Sequence, residues 1–486
     1  MKPPALPKLD EGKTGFFRLR RLGDRVLLTN DIGHYALLTE AEFSRFIRGG
    51  LKPKERLHQT LSAQGFMREH TDFDRLVEEW KKRNRFLWQG PSLHIVVVTL
   101  RCDHKCVYCQ TSSVGMKQRD FDMSEETARR VVDTIFDSPS RSLTIEFQGG
   151  EPLANWPVVR FIVKYALEKN KEKKKSLWLN LVTNLSLMDR KKLDFLLGHG
   201  VNICTSLDGP RELHDANRVV VPGGSSHRTV LSWFRRIKKR TKNKVFGIDA
   251  LMTTTRRSLR YPREIVDAYV RLGALGVYLR PLSRYGFAKK TWDAIGYTAD
   301  EFLDFYRKAL DHILRLNLKG RSFFEQTARI FATKMLKKED PNFLDLRSPC
   351  GAGIGQVAYN YDGRVFTCDE GRMLSRMGDD SFCIGDVSKD GYGDIVNHPT
   401  VRALTTASCL ETQAECSGCA YFPYCGTCPV ENFAAQNDLF CRAPLSERCR
   451  LYKGILDTLF LKMRKPKTRD VILSWTRAPQ SLYQRE

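Results

Sequence analysis

Residues 93–109, LHIVVVTLRCDHKCVYC, set an apolar run directly against three closely spaced cysteines. The run Leu93–Leu100 has the length of a strand and falls far short of the ~20 residues that a membrane helix needs. Cys102, Cys106 and Cys109 follow at once, so they occupy the loop at its C-terminal end. Three thiolates on one loop can hold three irons of a [4Fe–4S] cube, whose protein ligation normally uses four, which leaves one iron open. Zinc would ordinarily want four ligands, and His104 lies inside the spacing, so a Cys3His zinc site is the competing reading.

Further strand-like segments recur at Leu143–Gln148, Leu177–Thr183, Val201–Leu207, Val245–Met252 and Leu275–Pro281. Helix patterns separate them at Ser124–Phe136, Val158–Glu168, Arg190–Leu197, Thr229–Lys239 and Pro262–Leu272, several opened by Ser, Asp or Pro as helix starts require. This alternation predicts an α/β fold in which a parallel sheet curls into a partial (β/α)6 barrel. Active groups of such barrels sit on loops at the C-terminal ends of strands.

Residues 1–88 read as a separate unit, with a hairpin of Phe16–Arg20 and Arg25–Thr29, a strand Tyr35–Leu38, and helices over Glu40–Arg48 and Asp72–Arg83. The barrel is expected over 89–285, connecting helices over 286–349 (Phe302–Leu316 clearly amphipathic), a Gly-, Pro- and Cys-rich domain over 350–460 and a basic tail over 461–486. Fourteen cysteines in a 486-residue chain whose first residues lack a signal-like apolar stretch favour metal ligation over disulfides and a cytoplasmic location. The net charge of +24 gathers in runs at Lys171–Lys175, Arg235–Lys244 and Lys462–Arg469. Such runs are commonly solvated helix faces, with an acidic peptide or nucleic acid as the alternative.

The remaining polar motifs fall at strand ends. Gly149-Gly150-Glu151-Pro152 ends the second strand, Thr183-Asn184 the third, and Ser206-Leu207-Asp208-Gly209-Pro210 the fourth, followed by His214-Asp215 and Arg218. CxxxCxxC with Tyr108 before the last cysteine, together with GGEP, resembles the radical S-adenosylmethionine (AdoMet) superfamily. The resemblance implies AdoMet on the open iron of a [4Fe–4S] cluster and reductive cleavage to a 5′-deoxyadenosyl radical. It assigns Tyr108, Gly149, Gly150, Glu151, Asn184, Ser206, Asp208 and Arg218 to cofactor binding, with the glycines near the methionine amino group, Ser206 on the ribose and Arg218 on the carboxylate. A hydroxyl suits a ribose, and a guanidinium gives a carboxylate a bidentate partner.

Towards the C-terminus, Cys350 precedes Gly363 and Cys368, and Cys416, Cys419, Cys425 and Cys428 form CxxC-type pairs, with Cys441 and Cys449 beyond. The series resembles the SPASM extension of radical AdoMet peptide maturases, which carries two auxiliary clusters, although two residues rather than the usual three precede Cys428. That resemblance assigns Cys350, Cys368 and Cys428 to the first auxiliary cluster, with Cys383 or Cys409 completing it. It assigns Cys416, Cys419, Cys425 and Cys449 to the second, Cys449 preferred over Cys441. Asp369 resembles an acid/base carboxylate of sulfatase-maturing relatives. Cys204, inside a strand, reads as a small buried hydrophobe.

Over almost the whole chain, FRLRRLGD (Phe17–Asp24), Leu27–Phe43, YLRPLSRYG (Tyr278–Gly286) and CDEGRM (Cys368–Met373) resemble HxsB, the maturase family of the His-Xaa-Ser system. The implied partners are a precursor peptide or small protein, a companion radical AdoMet protein and a reductant such as flavodoxin or ferredoxin. Residues 16–75 also resemble a winged-helix peptide-recognition domain, which adds a leader peptide to a sheet edge. Rival readings are an RNA-modifying radical AdoMet enzyme, favoured by charge, and a non-catalytic zinc scaffold, favoured by CxxC pairs alone.

Overall fold

The computed structural model describes residues 9–69, 72–221, 223–242, 247–341 and 343–477. Its strands in chain order are β1 (Arg18–Leu22), β2 (Arg25–Thr29), β3 (Tyr35–Leu38), β4 (Leu93–Thr99), β5 (His104–Cys106), β6 (Ser142–Gly149), β7 (Ser176–Val182) and β8 (Asn202–Ser206). They continue with β9 (Arg218–Val220), β10 (Ile248–Thr253), β11 (Gly276–Val277), β12 (Leu279–Arg280), β13 (Phe324–Glu325), β14 (Gln356–Tyr359), β15 (Arg364–Phe366) and β16 (Cys383–Asp386). The main sheet runs β12-β10-β8-β7-β6-β4-β14-β15-β16. From β12 to β4 every neighbouring pair is parallel, as the alternation predicts.

The helices between these strands start where capping chemistry allows. Ser124, Asp189 and Ser225 each accept a backbone amide three residues on, and Pro262 opens Pro262–Leu272. Each cap satisfies an amide that the first helical turn leaves unpaired. Val131, Val132 and Ile135 of Glu125–Phe136 and Val159, Ile162 and Val163 of Trp156–Lys173 then bury one apolar face against the sheet core.

Several boundaries differ from the sequence reading. The strand expected over Leu275–Pro281 breaks at Tyr278, so that β11 pairs with β13 while β12 stays with β10. Val245, expected to open another strand, and Asn243 and Lys244 at the end of a basic run lie outside the described residues. More consequentially, β14 lies parallel to β4, Gln356 opposite Leu93, and the hairpin β15-β16 extends the same sheet. The boundary expected at residue 350 is therefore crossed by the barrel sheet itself. Up to residue 477, the tail expected from 461 is instead the end of helix Glu447–Met463 and a further helix Pro466–Trp475, whose Trp475 is only 1% exposed. Its basic side chains hid an apolar face from composition; residues 478–486 lie outside the described residues.

β1, β2 and β3 form their own antiparallel sheet over a separate core of Val26, Leu28, Phe43, Phe46, Leu61 and Phe66. This unit is tied to the C-terminal region: Arg20 makes a two-point contact with Asp457 at 2.8 and 2.7 Å, Thr29 Oγ1 donates to Ala420 O, and Tyr424 OH donates to Gly33 O. The barrel interior is polar rather than closed by aliphatic layers. Glu146, Gln148, Asp249, Arg280 and Gln356 line a cavity of about 330 Å³ there. Among the described residues, no helix is long and apolar enough to cross a membrane.

Candidate active site and cysteine clusters

The loop after β4 is held from both sides. β5 pairs with β9, Cys106 opposite Arg218, and the flanking amides of Val107 and Val221 donate to Asn217 O and Asp103 O at 2.9 and 2.8 Å. The loop is thereby fixed to the segment that leaves β8. Cys102 Sγ accepts from the His104 amide at 3.4 Å and from the Asn184 side chain at 3.8 Å, while Cys109 Sγ lies 3.3 Å from Thr111 Oγ1. Donors aimed at sulfur stabilise thiolate character and tune a bound cluster.

The residues expected to bind AdoMet divide into two groups. Tyr108 OH donates to Asp208 Oδ2 at 2.6 Å, Asn217 Nδ2 donates to the same oxygen, and Arg218 Nε donates to Asp208 Oδ1 at 3.2 Å. Asp208 is fully buried, so Tyr108, Asp208 and Arg218 form one unit that braces the cysteine loop. Glu151, also fully buried, accepts from Thr183 Oγ1, Leu153 N and Asn184 N, which joins the ends of β6 and β7. Asn184 reaches Asp103 Oδ1 and His104 Nδ1, both at 2.9 Å. Tyr108, Glu151, Asn184 and Asp208 thus already have protein partners.

Arg218 and Ser206 are less committed. Among the described residues, only Nε of the Arg218 guanidinium is bonded, and Ser206 Oγ, at the end of β8, has no bonded partner. Gly149 and Gly150 also do something the sequence reading did not foresee. A Cβ added at Gly149 would lie 2.0 Å from Thr99 O, and one at Gly150 2.4 Å from Arg101 O. The two glycines let β6 end against the backbone that opens the cysteine loop.

A connection without any sequence signature joins the two sides of the site. The Asp208 amide donates to His214 Nδ1 at 3.1 Å, which puts the His214 proton on Nε2, 3.0 Å from Ser226 Oγ. His104 Nε2 lies 3.0 Å from the same hydroxyl. Burial pushes His214 down to about 3, so the ring is neutral at physiological pH.

The donor set fits a multi-iron cluster better than a single ion. Among the described residues, the one group of at least three His, Cys, Asp or Glu side chains with ligand atoms all within 4.8 Å of one another is Cys102, Asp103 and His104. Cys106 and Cys109 stand outside that spacing, as do the C-terminal cysteines. A mononuclear zinc site needs its ligands gathered round one ion, whereas a four-iron cube spreads them.

The C-terminal cysteines fall into two sets. Cys350, Cys368 and Cys428 share one buried cluster with Tyr285. Burial and then Asp345 push Cys350 up to about 12, and burial and then Glu370 raise Cys368 well above the ordinary thiol range. Cys416, Cys425 and Cys449 are each raised first by burial, with neighbouring thiols, Cys419 and Cys441 among them, adding to the shift and Cys416 and Cys425 at about 12. Metal binding at such thiols must release their protons.

The two residues expected to complete the first set have different surroundings, and Cys409 follows Ser408, whose Oγ accepts from the Cys350 amide at 2.9 Å. Cys383 lies in β16 beside the apolar cluster of Ile95, Val97 and Phe366, and Cys409 ends the helix Pro399–Ser408, raised by burial and Glu411. Strand pairing and helix length place both, which spacing along the chain could not reveal. Cys204 is a buried strand residue, as expected. Asp369, 6% exposed, pairs with Arg372 at 2.7 Å.

The segment between the loop and the first of these sets touches both. Phe287 N donates to Cys109 O at 2.8 Å and Gln110 Nε2 to Ser283 O at 3.3 Å, while Tyr285 packs on Cys350, Cys368 and Cys428. A cavity of about 370 Å³ opens beside this segment, lined by Tyr285, Glu370, Cys428, Glu431 and Arg448. It shares Tyr278, Arg280 and Asp345 with the lining of the barrel cavity.

Residues 96–260 match the family described as the Radical SAM superfamily. Over these residues, about a third of its length, the chain carries the radical SAM domain. This family uses a [4Fe–4S] cluster and AdoMet, the groups that the cysteine loop and its surrounding strand ends fit. Among curated relatives, the radical SAM cyclopropyl synthase TigE of Paramaledivibacter caminithermalis is 28% identical over 28% of this chain and 32% of its own. The alignment thus spans about a third of that relative. The cysteine-type anaerobic sulfatase-maturating enzyme of Clostridium perfringens strain 13 is 22% identical over 76% of this chain and 97% of its own. Among solved structures, native anSMEcpe with bound AdoMet and Cp18Cys peptide superposes with a TM-score of 0.65 at 19% identity, over 79% of this chain and all of its own. Streptococcus suis SuiB bound to precursor peptide SuiA gives 0.54 at 15%, over 90% and 99%. At these identities the structures share the fold.

Proposed function

We propose that this radical SAM enzyme is a maturase that modifies a peptide or small protein in the cavity between the cysteine loop and the Cys350, Cys368 and Cys428 set. The observation that carries the reading is the segment Pro281–Phe287, which touches both cysteine groups and lines a cavity of about 370 Å³. Similarity to a sulfatase-maturating enzyme and to a precursor-peptide enzyme supports the substrate class. The finer reading is a substrate of the His-Xaa-Ser system, with a companion radical SAM protein and a flavodoxin- or ferredoxin-type reductant.

Cys102, Cys106 and Cys109 would hold the catalytic [4Fe–4S] cluster, which together with AdoMet would supply hydrogen-abstracting radical chemistry. Arg218 offers its terminal nitrogens to the methionine carboxylate, and Ser206 offers its hydroxyl to the ribose. Tyr108, Asp208, Glu151 and Asn184, assigned with them to cofactor binding, also keep the loop in place. Cys350, Cys368 and Cys428 hold one auxiliary cluster. Cys416, Cys419, Cys425 and Cys449 hold another, Cys449 being on helix Glu447–Met463. Asp369, set against Arg372, takes the substrate proton. The N-terminal unit receives a leader peptide.

Co-expression with a candidate His-Xaa-Ser peptide, followed by mass spectrometry, tests the substrate. A mass change that requires Cys102, Cys106 and Cys109 supports the reading, and an unmodified peptide alongside salt-sensitive RNA binding would replace it. Anaerobic reconstitution should yield about 12 irons per chain. About four irons with stoichiometric zinc would remove the auxiliary clusters from the account.

A further inference from the structure

We propose that the Tyr285 hydroxyl donates a hydrogen bond to the cluster held by Cys350, Cys368 and Cys428 and thereby raises its reduction potential. The inference rests on the reading of those three cysteines as an auxiliary cluster site.

Tyr285 shares one buried cluster with the three cysteines and is 3% exposed. Its hydroxyl is buried and has no hydrogen-bond partner among the described residues. A buried donor normally finds an acceptor, so an orphan here marks a partner that the polypeptide itself does not supply. Tyr285 lines the cavity of about 370 Å³ together with Cys428, yet none of the carboxylates on that lining, Asp345, Glu370, Glu431 and Glu447, accepts from it. The oxygen is closed off from the cavity, so water or a peptide entering there does not reach it.

Two further observations point to a cluster as the acceptor. The sulfurs of this set already collect donors, Cys368 Sγ from the Gly371 amide at 3.3 Å and Cys428 Sγ from the Glu431 amide at 3.4 Å. The hydroxyl bonds to none of the three Sγ atoms, which leaves the cluster's own sulfides to take its proton. The backbone beside Tyr285 is also held between the two cysteine groups. Gly286 N donates to Met377 Sδ at 3.1 Å, Met377 packing on the same buried cluster, and Phe287 N donates to Cys109 O at 2.8 Å. Reduction adds a negative charge to a cluster, and a hydrogen bond to its sulfur stabilises that charge, so the donor makes the reduced form easier to reach.

The test uses the full-length Cys102→Ala/Cys106→Ala/Cys109→Ala protein, reconstituted anaerobically in H2O and in D2O, so that only auxiliary clusters remain. Redox titration followed by electron paramagnetic resonance gives a midpoint for each auxiliary signal, and electron–nuclear double resonance shows the exchangeable protons coupled to it. Tyr285→Phe keeps the ring and removes only the O–H. It should retain about eight irons, shift one midpoint to lower potential and remove one exchangeable-proton coupling from that signal. The other auxiliary signal should stay where it is, which shows that the variant is folded. Tyr278→Phe, which takes a hydroxyl from the same cavity lining, should change neither midpoint nor coupling. Unchanged midpoints in Tyr285→Phe, a midpoint that falls with every proton coupling kept, or an equal fall in Tyr278→Phe would each overturn the assignment. Loss of that cluster's iron in Tyr285→Phe would overturn it too, by making the hydroxyl a structural group. If Cys350→Ala/Cys368→Ala/Cys428→Ala loses no iron, the auxiliary site itself is misread, a failure distinct from that of Tyr285.

Discussion

Glu146 shows how burial alone can set the charge of a barrel residue. It lies on β6, 7% exposed, and burial pushes it from 4.5 up to about 7, with Asp369 adding to the shift and Gln148, Asn180 and Arg280 opposing it. The folded-state value exceeds the unfolded one, so the folded chain holds an extra proton between them. Stability from this group is present below about 4.5 and is lost as pH rises through about 7. Glu146→Gln should therefore match the parent at about pH 4 and exceed it at about pH 8 by on the order of 3 kcal/mol, read from urea denaturation. Equal stabilities at pH 8 would refute the burial argument. Ser226 offers a second case, since its hydroxyl is shared by the buried rings of His104 and His214. Ser226→Ala leaves both nitrogens unpaired and should cost about 1–3 kcal/mol. A loss below about 0.5 kcal/mol would mean that the rings find other partners.

At the scale of elements, the three-residue ladder β5-β9 governs the cysteine loop. Two such short strands have little stability alone, and here they are supported by the Tyr108, Asp208 and Arg218 unit behind them. Val219 is 45% exposed and pairs with Lys105, so its side chain contributes little. Proline at 219 removes the amide from the ladder while sparing the core. Val219→Pro should reduce catalytic-cluster iron and weaken AdoMet binding at least about tenfold, ~1.4 kcal/mol, with auxiliary iron retained. Binding titrations and iron analysis on the same preparation decide it, with Val219→Thr as the control that keeps the amide. Unaltered AdoMet affinity in Val219→Pro would show that the loop holds its shape without the strand pair.

Across the whole molecule, the N-terminal unit is more than an appended module. Its β1 meets helix Glu447–Met463 through the Arg20–Asp457 pair, and β2 and the turn after it meet the loop that carries Cys416, Cys419 and Cys425 through the Thr29–Ala420 and Tyr424–Gly33 bonds. Deleting residues 1–88 should weaken peptide binding and also cost about four of about 12 irons. AdoMet cleavage without peptide should persist, because β4 and the loops around it begin after residue 92. Full iron content in the truncated protein would reduce the contact to simple adhesion.

The sequence by itself determined the parallel pairing of the successive strands from β4 to β10 and the placement of Cys102, Cys106 and Cys109 at the end of β4. These are local matters, since strand period, helix caps and short cysteine spacings are written within a few residues of one another. Tertiary structure alone decided that β14 joins the barrel sheet beside β4, that Trp475 is buried, and that Tyr285 shares a buried cluster with Cys350, Cys368 and Cys428. Each of these depends on pairing or packing between segments far apart in the chain, where the energetic reward comes from burial and hydrogen bonding in three dimensions and leaves no periodic trace in either partner's sequence.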